Sequence, residues 1–509
     1  MTARTQSPAR APAGTVRLSR AAGRWVLAAA VLGSGITFLD STVVNVALPA
    51  LGDDLHASLA ALQWTVNGYT LTLAALILLG GSLGDRFGRR RIFVVGAVWF
   101  ALASLLCGLA PNVELLITAR AIQGVGGALL TPGSLALIQA SFAPQDRARA
   151  IGAWSGLGGI AGALGPLLGG WLVDAVNWRW VFFINVPIAA AVVMIAAVHV
   201  PESRDETATG SFDWLGALCV AAGLAGITYA LIGAAEPGAV PAVIAAAASM
   251  GVAALVGFVL VERGSRHPML PPSLFAERQF TAANAVTFAV YAALGGVFFF
   301  LVLDLQIRAG FSALAAGSAL LPVTVIMLAL SARAGRLASR IGPRIPMTVG
   351  PAVCAVGLLL MTRIGAPADY VTDVLPAVSV FGLGLATTVA PLTATALGAV
   401  EQRHAGTASG VNNAVARAAG LVAVAALPLV VGLSNEGYHD PEAFGRAFHA
   451  ALLVCAGLLV AGAALAWATI RSDVLREEPG PPAPPPCRHH CAVGAPPLQA
   501  PVDPEVTSA

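Results

Sequence analysis

Polar loops divide the chain into fourteen apolar stretches. Each is about 20 residues long, which is enough for a helix to cross a hydrocarbon layer about 30 Å thick. Backbone groups in lipid must be hydrogen-bonded internally, so each stretch is expected to be a helix. The sequence therefore predicts an all-α integral membrane protein with 14 transmembrane helices. The predicted spans are 25–48, 60–82, 92–110, 115–139, 150–173, 181–200, 214–235, 240–261, 280–303, 312–332, 346–364, 371–394, 407–432 and 446–470.

The composition agrees with a membrane protein and excludes several kinds of enzyme. Only 11% of the residues are charged and 57% are hydrophobic, whereas soluble domains carry about 25% charged residues. All 29 basic residues are Arg, and Lys is absent. Without Lys the chain can hold neither a G-x-x-x-x-G-K-[ST] phosphate loop nor a Schiff-base lysine. Any work that it does must draw on another energy source.

The distribution of Arg predicts how the chain is oriented. With the N-terminus inside, the inner loops hold fifteen Arg and the outer loops hold four. The positive-inside rule then places both termini in the cytoplasm, as an even number of spans requires. We expect cytoplasmic tails at 1–24 and, as a Pro-rich disordered segment, at 471–509. The Arg residues are scattered rather than gathered on one face, so no nucleic-acid partner is expected.

The inner loop after the second span is repeated after the tenth. Gly81–Arg90 and Gly335–Arg344 align at an offset of 254 and share Gly, Leu, Arg, Gly and Arg at five of ten positions. This repeat predicts six-helix bundles at 25–200 and 280–470. The linker 201–279 would then carry two inserted helices, at about 214–235 and 240–261, in a 6 + 2 + 6 arrangement. The alternative is a chance match of small residues and Arg.

The first copy of this loop, Gly81-Ser-Leu-Gly-Asp-Arg-Phe-Gly-Arg-Arg90, carries the most specific motif. Its glycines allow close approach of the chain, and its acid can cap a helix or pair with Arg. The pattern resembles the signature of the major facilitator superfamily, and that resemblance covers essentially the whole chain. It implies a charge latch between alternating-access states, with Gly81, Asp85, Arg86, Gly88 and Arg90 as its residues. The alternative is an ordinary Arg-rich loop at the membrane surface.

Arg120 is a charge within the fourth span, in Arg120-Ala-Ile-Gln-Gly124. A buried charge is costly unless it faces a cavity or a partner. The motif looks like R-x-x-Q-G of the superfamily, which implies a part in proton coupling. The alternative is an Arg near a helix end whose side chain reaches the membrane surface.

Two acids stand out in the apolar stretches, Asp40 within the first span and Asp304 directly after the ninth. Asp40 lies in Leu39-Asp-Ser-Thr-Val-Val-Asn-Val-Ala-Leu-Pro49, which resembles the first-helix signature of the fourteen-span drug/proton antiporters of the EmrB/QacA type. The resemblance implies that Asp40 couples protons, within reach of Arg120 if the first and fourth spans face the same cavity. Asp304 stands near the outer end of its span, where a water-exposed helix end and a binding role are both open.

The fifth span is rich in small residues. Gly165-Pro-Leu-Leu-Gly-Gly170 is similar to the antiporter motif of exporters in the superfamily, with Ala161 where Gly is usual. The residues assigned to this motif are Gly152, Gly165, Pro166, Gly169 and Gly170. They are expected to permit close helix packing and to bend the helix. The alternative is a generic small-residue interface.

Polar residues in other spans are candidates for the substrate cavity. We assign Asn45, Gln123, Asn412, Asn413 and Asp304 to it. Asn412 and Asn413 can equally serve in hydrogen bonding between helices. The segment Trp178–Pro187 also resembles the fourteen-span family. The tail group Cys487, His489, His490 and Cys491 has no second ligand cluster, so no metal site is expected.

Together these features predict a transporter of the bacterial inner membrane rather than an enzyme. The resemblance implies alternating access with proton:substrate antiport, driven by the proton gradient and without a cofactor. The expected partners are the lipid bilayer, protons and a small lipophilic substrate that is neutral or singly charged. A monomer is expected. The alternative is a proton-coupled importer of a small nutrient in the same superfamily. The sequence does not identify the substrate.

Overall fold

Fourteen helices in the described part of the computed structural model are long and apolar enough to cross a membrane. The structure describes residues 16–204, 213–236, 238–265, 268–401 and 405–475. The helices are α1 (Ala21–Leu55), α2 (Leu59–Phe87), α3 (Arg89–Gly108), α4 (Val113–Ser141), α5 (Gln145–Ala175), α6 (Trp180–His199), α7 (Trp214–Gly233), α8 (Pro241–Gly264), α9 (Arg278–Ile307), α10 (Ala313–Ile341), α11 (Arg344–Met361), α12 (Tyr370–Gly398), α13 (Gly406–Val430) and α14 (Pro441–Thr469). The predicted number of spans is confirmed.

Most helices extend beyond the predicted apolar stretches. The span predicted at 25–48 is part of a helix over Ala21–Leu55, because hydropathy detects the apolar middle of a helix and misses its polar ends. Caps set several of the ends. The Ser58 hydroxyl accepts a hydrogen bond from Ala61 N at the start of α2, and Asn112 Oδ1 accepts one from Leu115 N at the start of α4. Such caps satisfy backbone N–H groups that lack a partner within the helix.

Two sets of six helices pack in the same pattern. In the first set, α1 packs on α5, α2 and α3 pack on α4, and α3 packs on α6. In the second set, α9 packs on α13, α10 and α11 pack on α12, and α11 packs on α14. Each helix has its counterpart eight helices later, as the loop repeat predicts. The 6 + 2 + 6 arrangement is confirmed, while the domain boundaries remain predictions.

The inserted helices α7 and α8 pack against each other. Helix α7 also contacts α2 and α13, so it lies where the two six-helix sets meet. Helix α8 leaves large apolar side chains such as Met250 and Leu260 exposed. An exposed apolar surface of this kind suits contact with lipid.

The two halves touch closely at one end of the bundle. Asp174 at the end of α5 accepts hydrogen bonds from Ala313 N (3.2 Å) and Leu314 N (2.8 Å) at the start of α10. Asn435 Oδ1 accepts one from Leu59 N at 2.9 Å. We call this the closed end. The α2–α3 turn lies at the other end, since each of these helices crosses the bundle once.

Candidate functional site

A buried ion pair joins α1 and α4. Asp40 and Arg120 are 0% and 1% exposed, and Arg120 NH1 lies 2.5 Å from Asp40 Oδ2. The alternative of an Arg whose side chain reaches the membrane surface is therefore wrong. Sequence reasoning placed the two residues within reach of each other across a shared cavity. In the structure the pair is enclosed by protein, which is how a charge at this depth is accommodated when it has a partner.

Amide side chains hold the second oxygen of the carboxylate. Gln123 Nε2 donates to Asp40 Oδ1 at 2.8 Å, and Asn185 Nδ2 of α6 donates to the same atom at 2.9 Å. Both amides also donate to the Ser104 hydroxyl of α3, at 3.1 and 2.9 Å. All three of these polar residues are fully buried. One carboxylate therefore connects α1 with α4 and α6 directly, and with α3 through Ser104.

Arg120 has further partners besides the acid. Its Nε donates to Thr65 O of α2 at 3.1 Å, and its NH1 donates to Gln123 Oε1 at 2.6 Å. The guanidinium carbon lies 4.4 Å from the ring centroid of Tyr69 and 5.8 Å from that of Phe182. Aromatic faces stabilise a desolvated cation. These contacts fix the orientation of Arg120 from α2, α4 and α6.

The start of α6 is positioned from the closed end. Trp178 Nε1 and Arg179 NH1 donate to Asp54 Oδ2 at 2.9 and 2.7 Å. This attaches the segment before α6 to the end of α1. Asn185 follows two turns later and meets Asp40 on the same helix α1. The resemblance at Trp178–Pro187 thus marks a segment that contributes a residue to the site.

The α2–α3 turn contains an ion pair that differs from the predicted one. Asp85 pairs with Arg89 at 2.7 Å, whereas the resemblance named Arg86, whose guanidinium lies over the Phe87 ring. Arg89 stands one helical turn after Asp85, and i,i+4 side chains meet on one face even across this break. The break itself is made by Gly88, whose φ of 110° suits glycine. The structure adds Arg89 as the partner of Asp85, and the latch role of Arg86 stays a prediction.

Arg90 contacts the end of α6. Its Nε lies 3.6 Å from Glu202 Oε2 and its NH1 donates to Val200 O at 3.1 Å. Arg90 N also donates to Glu202 Oε1 at 3.1 Å. The turn is thereby attached to the segment after α6.

Gly81 lies in the last part of α2, where a methyl group would touch the Pro132 ring of α4 at 3.6 Å.

The second copy of the loop keeps the turn without the acid. Gly342 has φ 90°, like Gly88. Arg344, the counterpart of Arg90, donates to Trp467 O at 2.7 Å. Ser339 and Pro343 stand where the first copy has Asp85 and Arg89. Both members of the ion pair are therefore replaced in the second copy.

The antiporter motif divides into a packed part and an open part. A methyl group at Gly165 would overlap the Thr42 hydroxyl of α1, and one at Gly169 would lie 3.1 Å from Val43 Cα. A methyl group at Gly170 would lie 2.5 Å from Leu314 Cα of α10. Pro166 lies inside the helix, and its carbonyl oxygen is where a methyl group at Gly317 would fall. The prediction of close packing is confirmed for this part.

Gly152 does not pack as predicted. Among the described residues, a methyl group there, or at Gly156 or Gly159, would meet no atom within 4 Å. These glycines lie in the half of α5 away from Asp174, where α5 still contacts α1 because Trp154 Nε1 donates to the Ser34 hydroxyl at 3.0 Å. Close packing is therefore absent at the Gly152 face of this half and not along the whole of it.

The candidate cavity residues do not form one group. Gln123 belongs to the Asp40 network. Asn412 donates to Thr287 Oγ1 at 2.9 Å and to Asn284 Oδ1 at 3.2 Å, and so joins α13 to α9. Asn413 is exposed. Asn45 is half-buried, and its Oδ1 has no hydrogen-bond partner among the described residues.

Asp304 is a buried residue, not a water-exposed helix end. It is 0% exposed, and Arg308 Nε and NH2 donate to its two oxygens at 2.7 and 2.9 Å. Arg308 NH2 also donates to Ile364 O at 2.7 Å. The i,i+4 spacing brings Arg308, at the end of α9, onto both carboxylate oxygens of Asp304. These contacts give no support to Asp304 as a residue of the substrate cavity.

Sequence reasoning missed several residues of the site. Asn185 and Ser104 bind around Asp40, and Glu202 binds the α2–α3 turn. Asn67 of α2 is fully buried, and neither side-chain polar atom has a partner among the described residues. The one sequence feature that could have indicated any of these residues was the Trp178–Pro187 motif, which contains Asn185. The Cys487–Cys491 group lies outside the described residues.

The fold and the site define a membrane transporter with two repeated halves and a buried charge network in the first. The chain belongs to the Major Facilitator Superfamily, whose family model matches residues 30–425. The predicted superfamily is confirmed, and with it a transporter rather than an enzyme.

Comparisons with known proteins agree. The puromycin resistance protein pur8 of Streptomyces alboniger is 36% identical over 461 residues, covering 88% of this chain and 91% of that protein. The probable actinorhodin transporter of Streptomyces coelicolor is 39% identical over 419 residues, covering 80% of this chain and 72% of that protein. The crystal structure of a D-xylose-proton symporter aligns with a TM-score of 0.62 at 16% identity, covering 89% of this chain and 99% of that chain. This last likeness concerns the fold.

Proposed function

We propose that the chain exports a small organic compound from the cytoplasm in exchange for protons. The observation that carries the proposal is the Asp40–Arg120 pair, a protonatable group buried where α1, α4 and α6 meet. The names of the relatives, a puromycin resistance protein and a probable actinorhodin transporter, support export of such a compound. The energy comes from the proton gradient, and no cofactor takes part.

Proton binding at Asp40 changes helix contacts directly. Asp40 Oδ2 accepts a hydrogen bond from Arg120, and Asp40 Oδ1 accepts hydrogen bonds from Gln123 and Asn185. A proton placed on either oxygen displaces a donor and removes the counter-charge of Arg120. The contact of α1 with α4 or with α6 then weakens, and the helices of the first half shift. A proton at one buried carboxylate thereby biases which end of the transporter is open.

The conformation described here is open toward the cytoplasm. The Arg distribution supports a cytoplasmic position for the α2–α3 turn and both termini. On that side, the Gly152 face of α5 meets no atom of the described residues within 4 Å of an added methyl group. The contacts of Asp174 and Asn435 seal the outer end. We further propose that the protein is a multi-pass protein of the bacterial inner membrane and that it acts as a monomer.

The remaining motifs affect the change between the two access states of the transporter. The Asp85–Arg89 pair and the Arg90–Glu202 contact hold α2, α3 and the segment after α6 together on the cytoplasmic side. They stabilise one state of the first half as a latch. The tight packing of Gly165 and Pro166 keeps α5 sealed against α1 and α10. This packing excludes a continuous water path for protons.

The substrate is a small lipophilic compound, neutral or singly charged. Asn45 and Asn67 carry buried polar atoms without partners among the described residues. Unsatisfied buried groups of this kind call for a ligand or a water molecule. Asn413 adds an exposed amide on α13. These amides can orient a substrate whose body is otherwise held by apolar contact.

Proton exchange in everted membrane vesicles tests the proposal. Vesicles energised to an acid interior carry a pH-sensitive dye, and antibiotics and lipophilic dyes are added in turn. We expect some compounds to dissipate the gradient with the unmodified protein and none with Asp40→Asn. The matched control is Asp304→Asn, which also alters a buried acid beside Arg and should retain exchange per folded molecule. Equal exchange by Asp40→Asn and the unmodified protein would overturn the coupling role.

A further inference from the structure

Arg417 is a second cation at membrane depth, in the other half of the protein. It lies near the middle of α13 (Gly406–Val430). Its guanidinium carbon is 5.6 Å from the ring centroid of Phe38, near the middle of α1. Phe38 is two residues before Asp40 in the sequence. The charge therefore faces the first half from across the interface, at about the depth of the proton site.

This cation has no counter-ion in the described part of the structure. Arg417 is half-buried. Its guanidinium lies over the Phe38 ring, and it interacts electrostatically with the Tyr69 and Tyr291 side chains. The acid nearest in sequence to Phe38, Asp40, is already paired with Arg120. Asp304, near the end of α9, is paired with Arg308. An unpaired charge within a membrane protein is expensive to maintain and marks a ligand or ion pathway.

The surroundings of Arg417 suit a flat apolar body. Phe38 lies against the glycine face of α5, where methyl groups at Gly158 and Gly162 would be 3.9 and 3.7 Å from its ring carbon and Cβ. Among the described residues, no atom lies within 4 Å of a methyl group placed at the neighbouring Gly159. Asn413, one turn before Arg417, is exposed. A cation, an exposed amide one turn from it and an aromatic ring thus lie together between α13 and α1.

We infer that Arg417 binds the acidic group of the substrate, and that the substrate is an organic anion with a carboxylate on an aromatic or other flat apolar body. The inference rests on the proposed export function and narrows its substrate class. The guanidinium presents paired N–H donors that match a carboxylate. Phe38 packs against the apolar body, and Asn413 is placed to accept or donate a further hydrogen bond.

The charge of the substrate has a consequence for energetics. Export of one anion in exchange for one inward proton moves two positive charge equivalents inward. Membrane potential, negative inside the cell, therefore drives both movements. Exchange of a neutral compound would respond to potential through the proton alone.

Binding of three probes with one aromatic body tests the inference. Naphthoate, naphthylmethanol and naphthylmethylammonium differ mainly in charge, and their binding to the purified full-length protein in nanodiscs is measured by equilibrium dialysis. We expect naphthoate to bind more tightly than the other two. Arg417→Gln should lose at least tenfold of this preference, and Arg417→Lys should keep part of it. Arg417→Glu should favour naphthylmethylammonium.

Arg363→Gln is the matched control, because it removes the same charge from an exposed residue outside the helices. It should bind like the unmodified protein. Thermal unfolding of each variant verifies that the protein is folded. Equal weakening of all three probes by Arg417→Gln would show a structural role for the Phe38 contact and overturn the inference. Absence of naphthoate preference in the unmodified protein would overturn it as well.

The proposal of proton-coupled export and the proposal of an anionic substrate can be overturned independently. Binding in nanodiscs needs no proton gradient, so a charge preference that depends on Arg417 stands even if Asp40→Asn retains exchange. Conversely, loss of exchange in Asp40→Asn together with charge-independent binding would leave proton-coupled export in place and remove the anionic substrate class.

Discussion

The two halves of the protein each bury an acid beside an Arg, but the pairs differ in what they connect. Asp40 and Arg120 come from α1 and α4, and amides from α4 and α6 surround them. Asp304 lies in the last turn of α9 and Arg308 directly follows that helix, where Arg308 also donates to Ile364 O and lies over the Phe448 ring of α14. A proton on Asp40 disturbs hydrogen bonds that join α1 to α4 and α6. A proton on Asp304 disturbs a pair at one helix end and leaves the other contacts of Arg308 in place, so we expect only the first pair to convert protonation into movement.

The largest expected effect comes from removing one charge of the interhelical pair. Arg120→Gln leaves the Asp40 carboxylate buried without a counter-ion, which costs about 3–5 kcal/mol of stability. Exchange should be lost. The double variant Asp40→Asn with Arg120→Gln should recover most of the stability and none of the exchange. Thermal unfolding and vesicle proton exchange measure the two properties.

If the double variant lost as much stability as the two single variants together, the contrast drawn between the two buried pairs would fail. Additivity means that the two residues act independently, and a pair that acts independently cannot transmit a proton signal between α1 and α4.

Asp304→Asn should have a smaller effect, because the amide oxygen can still accept from Arg308 and Arg308 keeps Ile364 O. We expect a loss of about 1–3 kcal/mol and unchanged exchange per folded molecule. Replacing both members by Leu and Met should be neutral or stabilising, as for other buried pairs. A variant that is stable but no longer exchanges protons would assign Asp304 to the coupling machinery.

Packing on α5 provides a third comparison, within one helix. Gly165→Ala forces a methyl group onto Thr42 and should cost about 1–3 kcal/mol. Gly152→Ala meets free space and should be neutral or stabilising by about 0.5–1 kcal/mol, because Ala is the better helix former. Thermal unfolding of both variants measures the difference. Equal losses would mean that the Gly152 face of α5 is also packed.

The sequence was sufficient for the fold and for the two charged residues of the buried Asp40–Arg120 pair. Fourteen apolar stretches and the repeated loop predict the helices and their arrangement. Asp40 and Arg120 are identifiable because a charge inside an apolar stretch is rare and must have a partner. Their direct contact depends on how α1 and α4 are rotated, and only the structure shows that.

Neutral polar residues and pairings could not be predicted in the same way. Asn185 and Ser104 look like ordinary helix residues, since an amide or hydroxyl within a span is common and its partner lies on another helix. Helix rotation is set by packing between helices rather than by the span itself. The same limit explains why a water-exposed helix end and a binding role both stayed open for Asp304, and why Arg89 was not assigned as the partner of Asp85.

The smallest expected effect on stability is at the α2–α3 turn. Its test compares the two copies of the loop. The Asp85–Arg89 pair is partly exposed, with side-chain exposures of 44% and 22%, so Asp85→Asn should lower stability by only a few tenths of a kcal/mol. Its effect on exchange rate should be clearly larger, because a latch acts on the balance between states rather than on folding. Ser339→Asp should change neither property, since Pro343 occupies the position of Arg89 in that copy and offers no cation. Adding Pro343→Arg to Ser339→Asp supplies both members of the pair, and a changed exchange rate only in this double variant would show that the ion pair itself, rather than an acid in the turn, sets the balance.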